Sequence, residues 1–231
     1  SVAGTTFDWT NNNTGIGLGA NGTGNIASFN GVNLGNSGIN GTITVTPTAN
    51  GCVGPTEDYT ITVNPTPIVD AISDETVCNG DATTAVNFNS TTAGTTFDWA
   101  NDNTAIGLGA NGSGNIASFN GVNNTNAAIS GVITVTPTAN GCMGATENMT
   151  LTVNPTPVVD AVADETVCNG DATTAVNFTS TTAGTTFNWT NNNASIGLAA
   201  NGTGNIGSFN AVNNGATAIN ATITVTPTSS G

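Results

Sequence analysis

Hydrophobic and polar residues alternate with a period of two along much of this chain. Val86 and Phe88 fall on one side of an extended backbone, as do Phe97 and Trp99, and Ile133 and Val135 alternate with Thr134 and Thr136. Met149, Leu151 and Val153 alternate with Thr150 and Thr152 in the same way. This period marks strands with one buried face, and no window carries the spacing of an amphipathic helix. Asn-Gly and other glycine-rich steps lie between the runs, where they supply positive φ at little cost.

About seven or eight short strands in about 90 residues predict an all-β, immunoglobulin-like sandwich, with Trp99 as the buried tryptophan of its third strand. Trp9, Trp99 and Trp189 are read as core residues. A sugar-stacking platform would need more exposed aromatics than each copy of the pattern holds.

The pattern is written more than once. AGTTFDW at Ala3 and Ala93 returns as AGTTFNW at Ala183, and IGLGANG at Ile16 and Ile106 returns as IGLAANG at Ile196. An offset of 90 residues aligns these segments without a gap. So long a period predicts separate beads on a string rather than one stacked solenoid. The paired prolines of NPTP at Asn64 and Asn154 punctuate the pattern and are taken as boundaries. Residues 1–65 then form a unit without its first strands, 66–155 a complete unit, and 156–231 a unit without its last strand, as expected of a window on a longer repetitive protein.

Charge narrows the partners. The chain has 14 acidic residues and no Lys, Arg or His, a formal net charge of −14. Its side chains can form no salt bridge with one another, and self-repulsion favours solubility in dilute salt. Nucleic acid and anionic bilayers are excluded as partners, since both are bound through basic side chains. No apolar run approaches the roughly 18–20 residues of a membrane span. The regular β-branched and aromatic positions argue for order despite the abundance of Gly, Asn and Thr.

The same inventory argues against an enzyme. No His or Lys is present to serve as a base or activate a nucleophile. The glycine-rich IGLGANGSG at Ile106 has no Lys and precedes no helix, so it is read as a turn rather than a phosphate loop. A carboxylate glycosidase built on Asp70, Asp74, Glu75 and Asp81, repeated as Asp160, Asp164, Glu165 and Asp171, is conceivable by composition. Identical clusters at every unit boundary look architectural.

The run DETVCNGDATTAVNF, then TTFDW, IGLGANGSGNIASF, ITVTPTANGC and TLTVNPTP, resembles the PKD-like repeats of very large cell-surface proteins of Bacteroidota, gliding-motility adhesins among them. The resemblance spans essentially the whole chain. It implies a secreted immunoglobulin-like module, exported by the type IX system and strung in tandem as a fibre or stalk. The chain departs from such proteins in carrying no sorting domain, no terminal adhesive domain and none of the lysines scattered through many of these repeats.

The segment NPTPVVDAVADETVCNGD at Asn154, nearly the same at Asn64, carries the remaining chemistry. Its prolines stiffen the passage between units. About 13 residues from Pro65 to Cys78 are enough to traverse a sandwich at about 3.3 Å each, so Cys78 and Cys168 are expected at the far ends of their units. Cys52 and Cys142, in the ANGC hairpin before the last strand, are expected at the near ends. A bond between Cys78 and Cys142 would then exceed the roughly 4.4–6.8 Å Cα separation of a disulfide. The expectation is pairing to neighbouring units, with the partner of Cys78 one residue beyond Gly231. Pairing within a unit, free thiols or a zinc site are the alternatives, and the lack of His and of closely paired Cys weighs against zinc.

The carboxylates Asp70, Asp74, Glu75 and Asp81, repeated as Asp160, Asp164, Glu165 and Asp171, suit Ca2+ at the junctions by residue type. They are equally the residues that turns favour. Sequons at Asn12, Asn89, Asn111 and Asn201 fit exposed loops. The functional expectation is a stiff extracellular spacer on a bacterial surface, whose partners are adjacent repeats or other copies in a fibre. The alternative is a multivalent module that binds glycans or itself, gaining from avidity.

Overall fold

A computed structural model of the protein describes residues 2–229. Three antiparallel-based sheets follow one another along the chain. The first holds β1 (Thr6–Asn11), β2 (Asn21–Thr23), β3 (Ile39–Ala49), β4 (Cys52–Val53) and β5 (Glu57–Val63). The second holds β6 (Glu75–Cys78), β7 (Thr96–Asn101), β8 (Asn111–Ser113), β9 (Ile129–Ala139), β10 (Cys142–Met143) and β11 (Glu147–Asn154). The third holds β12 (Thr185–Asn191), β13 (Asn201–Thr203) and β14 (Ile223–Ser229). Among the described residues there is no α-helix, only 3-10 turns at Thr14–Ile16, Thr104–Ile106 and Ala194–Ile196.

The middle sheet runs β6-β11-β9-β7-β8, with β10 completing a hairpin on β9. Its neighbours are antiparallel except β6, which lies parallel to β11. Opposite this sheet lies a second, irregular layer. There Val86 bridges Ile116, Ala82 bridges Asn120, and the entering segment is tied by the Asp70 amide to the Asn89 carbonyl at 3.0 Å. The alternation of Val86 and Phe88 thus marks a real buried face but not a continuous ladder. Side chains replace the missing ladder bonds: Thr83 Oγ1 accepts from the Phe119 amide at 3.1 Å, and Asn115 Oδ1 from the Phe88 amide at 3.0 Å.

The two layers close on a core of Phe88, Ile106, Ile116, Ile133, Val135, Met149, Leu151 and Val153. The inward residues of β9 and β11 are those that the period of two assigns inward. The result is an immunoglobulin-like sandwich. Asn140 and Gly141, with φ of 49° and 78°, form the two-residue turn of the β9-β10 hairpin, as Asn50 and Gly51 do in the first unit.

A chain without cations must hold its loops by other means, and asparagine supplies them. Asn101 is buried at the end of β7, where its Nδ2 donates to the carbonyls of Leu108 (3.0 Å), Asn103 (3.1 Å) and Gly109 (3.3 Å) while its Oδ1 accepts from the Asn103 amide (3.1 Å). Asn103 then caps the 3-10 turn by accepting from the Ala105 amide. Asn123 does similar work with Nδ2 on the carbonyls of Val153 and Ala127. The amide side chain donates and accepts at once, so a single residue satisfies both kinds of loop backbone group.

The outer units show what each part of the pattern contributes. Phe88 packs against Phe97 with tilted rings whose centroids are 5.7 Å apart in the middle unit, and Phe178 against Phe187 at the same distance in the third. The first unit carries no counterpart of Phe88, and its Phe7 is 44% exposed. The third carries no counterpart of β11, and there Ile196 is half-buried where Ile106 is fully buried.

Candidate functional site: the joint between units

The residues with most claim to function lie where one unit meets the next. β5 ends at Val63, and the chain passes through Asn64, Pro65, Thr66 and Pro67 into the middle unit. Pro65 and Pro67 are fully buried. Asn64 Nδ2 donates to the carbonyl of Asn140, in the β9-β10 turn of the following unit, at 3.1 Å. Gly144, just past β10, lies so close to the Pro67 carbonyl that a Cβ on it would overlap the oxygen. The linker therefore runs in contact with the turn of the next unit, with its φ angles fixed by proline.

The same contact is weaker where its parts are absent. Pro157, the counterpart of Pro67, is only half-buried, and the chain holds no counterpart of Gly144 to cover it. Gly54, the counterpart of Gly144 in the first unit, meets only Pro47. Cys142 is half-buried, whereas Cys52 is exposed.

The opposite end of the middle unit carries Cys78. It closes β6 and lies in strand register with Asn154, the last residue of β11. Its neighbour Asn79 donates to the Thr156 hydroxyl of the next linker at 3.2 Å and accepts from the Asn123 amide at 2.9 Å. β11 separates this end from the hairpin of Cys142, and its eight residues span about 26 Å at about 3.3 Å each. All four cysteines are free, and Cys168 is exposed.

The carboxylates serve chiefly as hydrogen-bond acceptors. Asp74 Oδ1 accepts from the Thr150 amide at 2.6 Å, fastening the linker crossover to β11. Glu75 Oε1 accepts from the amide (2.8 Å) and hydroxyl (2.5 Å) of Thr84, and Glu165 holds Thr174 likewise. Asp160 accepts from the Thr179 hydroxyl at 2.6 Å. Asp81 and Asp171 sit in the turns after Cys78 and Cys168. Asp70, Asp74 and Glu75 border a shallow surface depression with Ile72 and Met149, while Asp164 is exposed. Among the described residues no three Cys, Asp or Glu are placed to hold a metal ion.

The tryptophans take an unforeseen position. Trp9, Trp99 and Trp189 each lie over the glycine directly across the strand pair, Gly22, Gly112 and Gly202, leaving no room for a Cβ. Their indole N–H groups are buried without a partner. Trp189 is buried within the core of its unit, and Trp9 and Trp99 are half-buried and packed against theirs. Pairing of Trp with Gly across a strand was legible only from their shared recurrence at the 90-residue offset.

Residues 75–157 match the family model of the PKD-like domain, covering the middle unit from β6 to the following linker. No curated protein matches the chain. Among solved structures the chain is similar to Sidekick-1 immunoglobulin domains 1-5, with 11% identity and a TM-score of 0.23 over 98% of this chain and 52% of that one. The chain thus spans about half the length of that structure. No helix among the described residues is long and apolar enough to cross a membrane.

Proposed function

We propose that the chain is part of an extracellular spacer on a bacterial surface, a row of PKD-like sandwiches that holds a distant adhesive element away from the cell. The observation that carries this reading is the joint, where Pro65 and Pro67 are buried and Asn64 is hydrogen-bonded to Asn140 of the next unit. A flexible tether of independent domains would use an exposed Gly-Ser linker. A buried proline linker passes bending force from one sandwich to the next.

The rest of the chain fits a mechanical role. It has no cationic side chain for catalysis or for nucleic acid, and the carboxylates that drew attention fasten backbone amides and hydroxyls. Adhesion or gliding over a surface would use such a stalk, with export by the type IX system supplying the route out of the cell.

Electron microscopy of the producing cells, labelled with antibody to this repeat, tests the reading. Label along thin fibres attached to the cell supports it. Label on a featureless coat, or on compact particles in the medium, overturns it in favour of a surface layer or a soluble binding module.

A further inference from the structure

We infer that successive units are stapled by a disulfide between the cysteine at the far end of one unit, of the Cys78 type, and the hairpin cysteine of the following unit, of the Cys142 type. The inference rests on the tandem spacer reading and adds a covalent bond to its joint. Two contacts carry it, one on each side of a joint. At the end of β11, Cys78 is the register neighbour of Asn154, and Asn79 beside it touches Thr156 of the outgoing linker. At the start of the middle unit, Asn64, which precedes Asn154 by one 90-residue repeat, donates to Asn140, two residues before Cys142.

Superposed by the repeat, these contacts form a chain. The far-end cysteine lies beside the terminal Asn of the last strand, and that Asn touches the turn that carries the next unit's cysteine. Burial at Cys142 and Asn79 agrees. Cys142, beside the linker at Asn64–Pro67, is half-buried, whereas Cys52, Cys78 and Cys168 are exposed. Likewise Asn79 is half-buried above a linker contact, while Asn169 is exposed. Cys78 and Cys142 of one unit lie at opposite ends of β11, far outside the roughly 4.4–6.8 Å that a disulfide bridges.

The chemistry is thiol–disulfide exchange. Both S–H protons are lost to water, one S–S bond forms, and the two electrons reduce the disulfide of an oxidised dithiol carrier, through a mixed disulfide with one of the cysteines. Closing a loop that spans a joint also limits how far the two units can separate when the array is pulled.

The test completes the joints that the chain already half contains. Residues 52–65 added after Gly231 continue the third unit in register, because Gly231 follows Gly51 by two repeats. In a second variant, residues 66–90 placed before Ser1 complete the first unit, because Ser1 precedes Thr91 by one repeat. Each extended chain is oxidised with a glutathione redox mixture, checked for native β circular dichroism, and mapped without reduction after cleavage at acidic residues.

The inference expects Cys78 joined to the added copy of Cys52 in the first variant, and the added copy of Cys78 joined to Cys142 in the second. Each bond shows as a loss of two hydrogen masses and vanishes on Cys78→Ser or Cys142→Ser respectively. A Cys78 to Cys142 bond within one unit, or free thiols in both folded variants, overturns it. The spacer reading survives that failure if the scattering of the chain remains that of a rod.

Discussion

Gly144 of the middle unit rests directly on the carbonyl of Pro67, in the linker from the unit before. No side chain fits between them. Because the obstacle is backbone rather than the end of a flexible side chain, Gly144→Ala must push the linker away from the turn. We expect the substitution to cost about 1–3 kcal/mol in the middle unit's stability, as overpacking generally does, and to expose the bond before Ile68 to thermolysin. Gly54→Ala, at the counterpart that faces only Pro47, should leave both readings close to those of the unchanged chain. Equal cleavage of the two variants would show that the contact does not hold the joint.

Asn101 joins β7 to the loop beyond it through three carbonyls and one amide. Asn101→Ala leaves those buried groups unpaired and should lower stability by about 1–3 kcal/mol in a urea titration. Asn101→Asp should cost more, because it turns a double donor into an acceptor facing three carbonyl oxygens. If Asp were tolerated as well as Asn, the hydrogen bonds would have been assigned the wrong weight.

How far the sequence revealed this depends on the range of the interaction. The inward faces of β9 and β11 and the Asn-Gly turns are local patterns, and alternation or a dipeptide was enough to place them. The strand at Glu75–Cys78 is different. The same DETVC pentapeptide at Asp164–Cys168 forms no strand, because the middle copy pairs with β11 and the third has no such partner. The period of two also overstated the order of the second layer, where Thr83 and Asn115 replace ladder bonds with side-chain bonds.

The joint was only partly legible. The prolines signalled a stiff passage, but the bond from Asn64 to Asn140 joins residues 76 positions apart, and no local pattern announces it. The buried role of Asn101 was hidden in a composition rich in Asn. Its one sequence signal is recurrence as Asn11, Asn101 and Asn191, each two residues after a tryptophan.

The tryptophan pairs give a sharp contrast between neighbouring glycines. Gly112→Ala drives a methyl group into the Trp99 ring and should cost about 1–3 kcal/mol. Gly109 has nothing near the position of a Cβ, and the third unit carries Ala199 at the matching site. Gly109→Ala should therefore change stability by less than about 0.5 kcal/mol. Thermal denaturation of the two variants decides it, and similar losses would remove the Trp-Gly contact from the account.

Calcium offers a separate check on the acidic residues. Asp74 and Glu75 accept from Thr150 and Thr84, and no group of three ligands converges among the described residues. Millimolar calcium should move the melting temperature no more than the same ionic strength of a sodium salt does. A selective rise with calcium, abolished by Asp74→Asn, would show that the carboxylates assemble around the ion.

The most direct test of the stiff joint is small-angle X-ray scattering of the unmodified chain at several concentrations, under reducing conditions. In the proposed stalk, three units end to end, each about as long as an eleven-residue strand, would make a rod of about 110 Å. A rod of that length has a radius of gyration of about 32 Å, against about 17 Å for a compact globule of this chain length. The account predicts a value near that of the rod, independent of concentration, with the cross-section of a single sandwich. A value near that of the globule, or a flexible profile that does not change with Gly144→Ala, would contradict it.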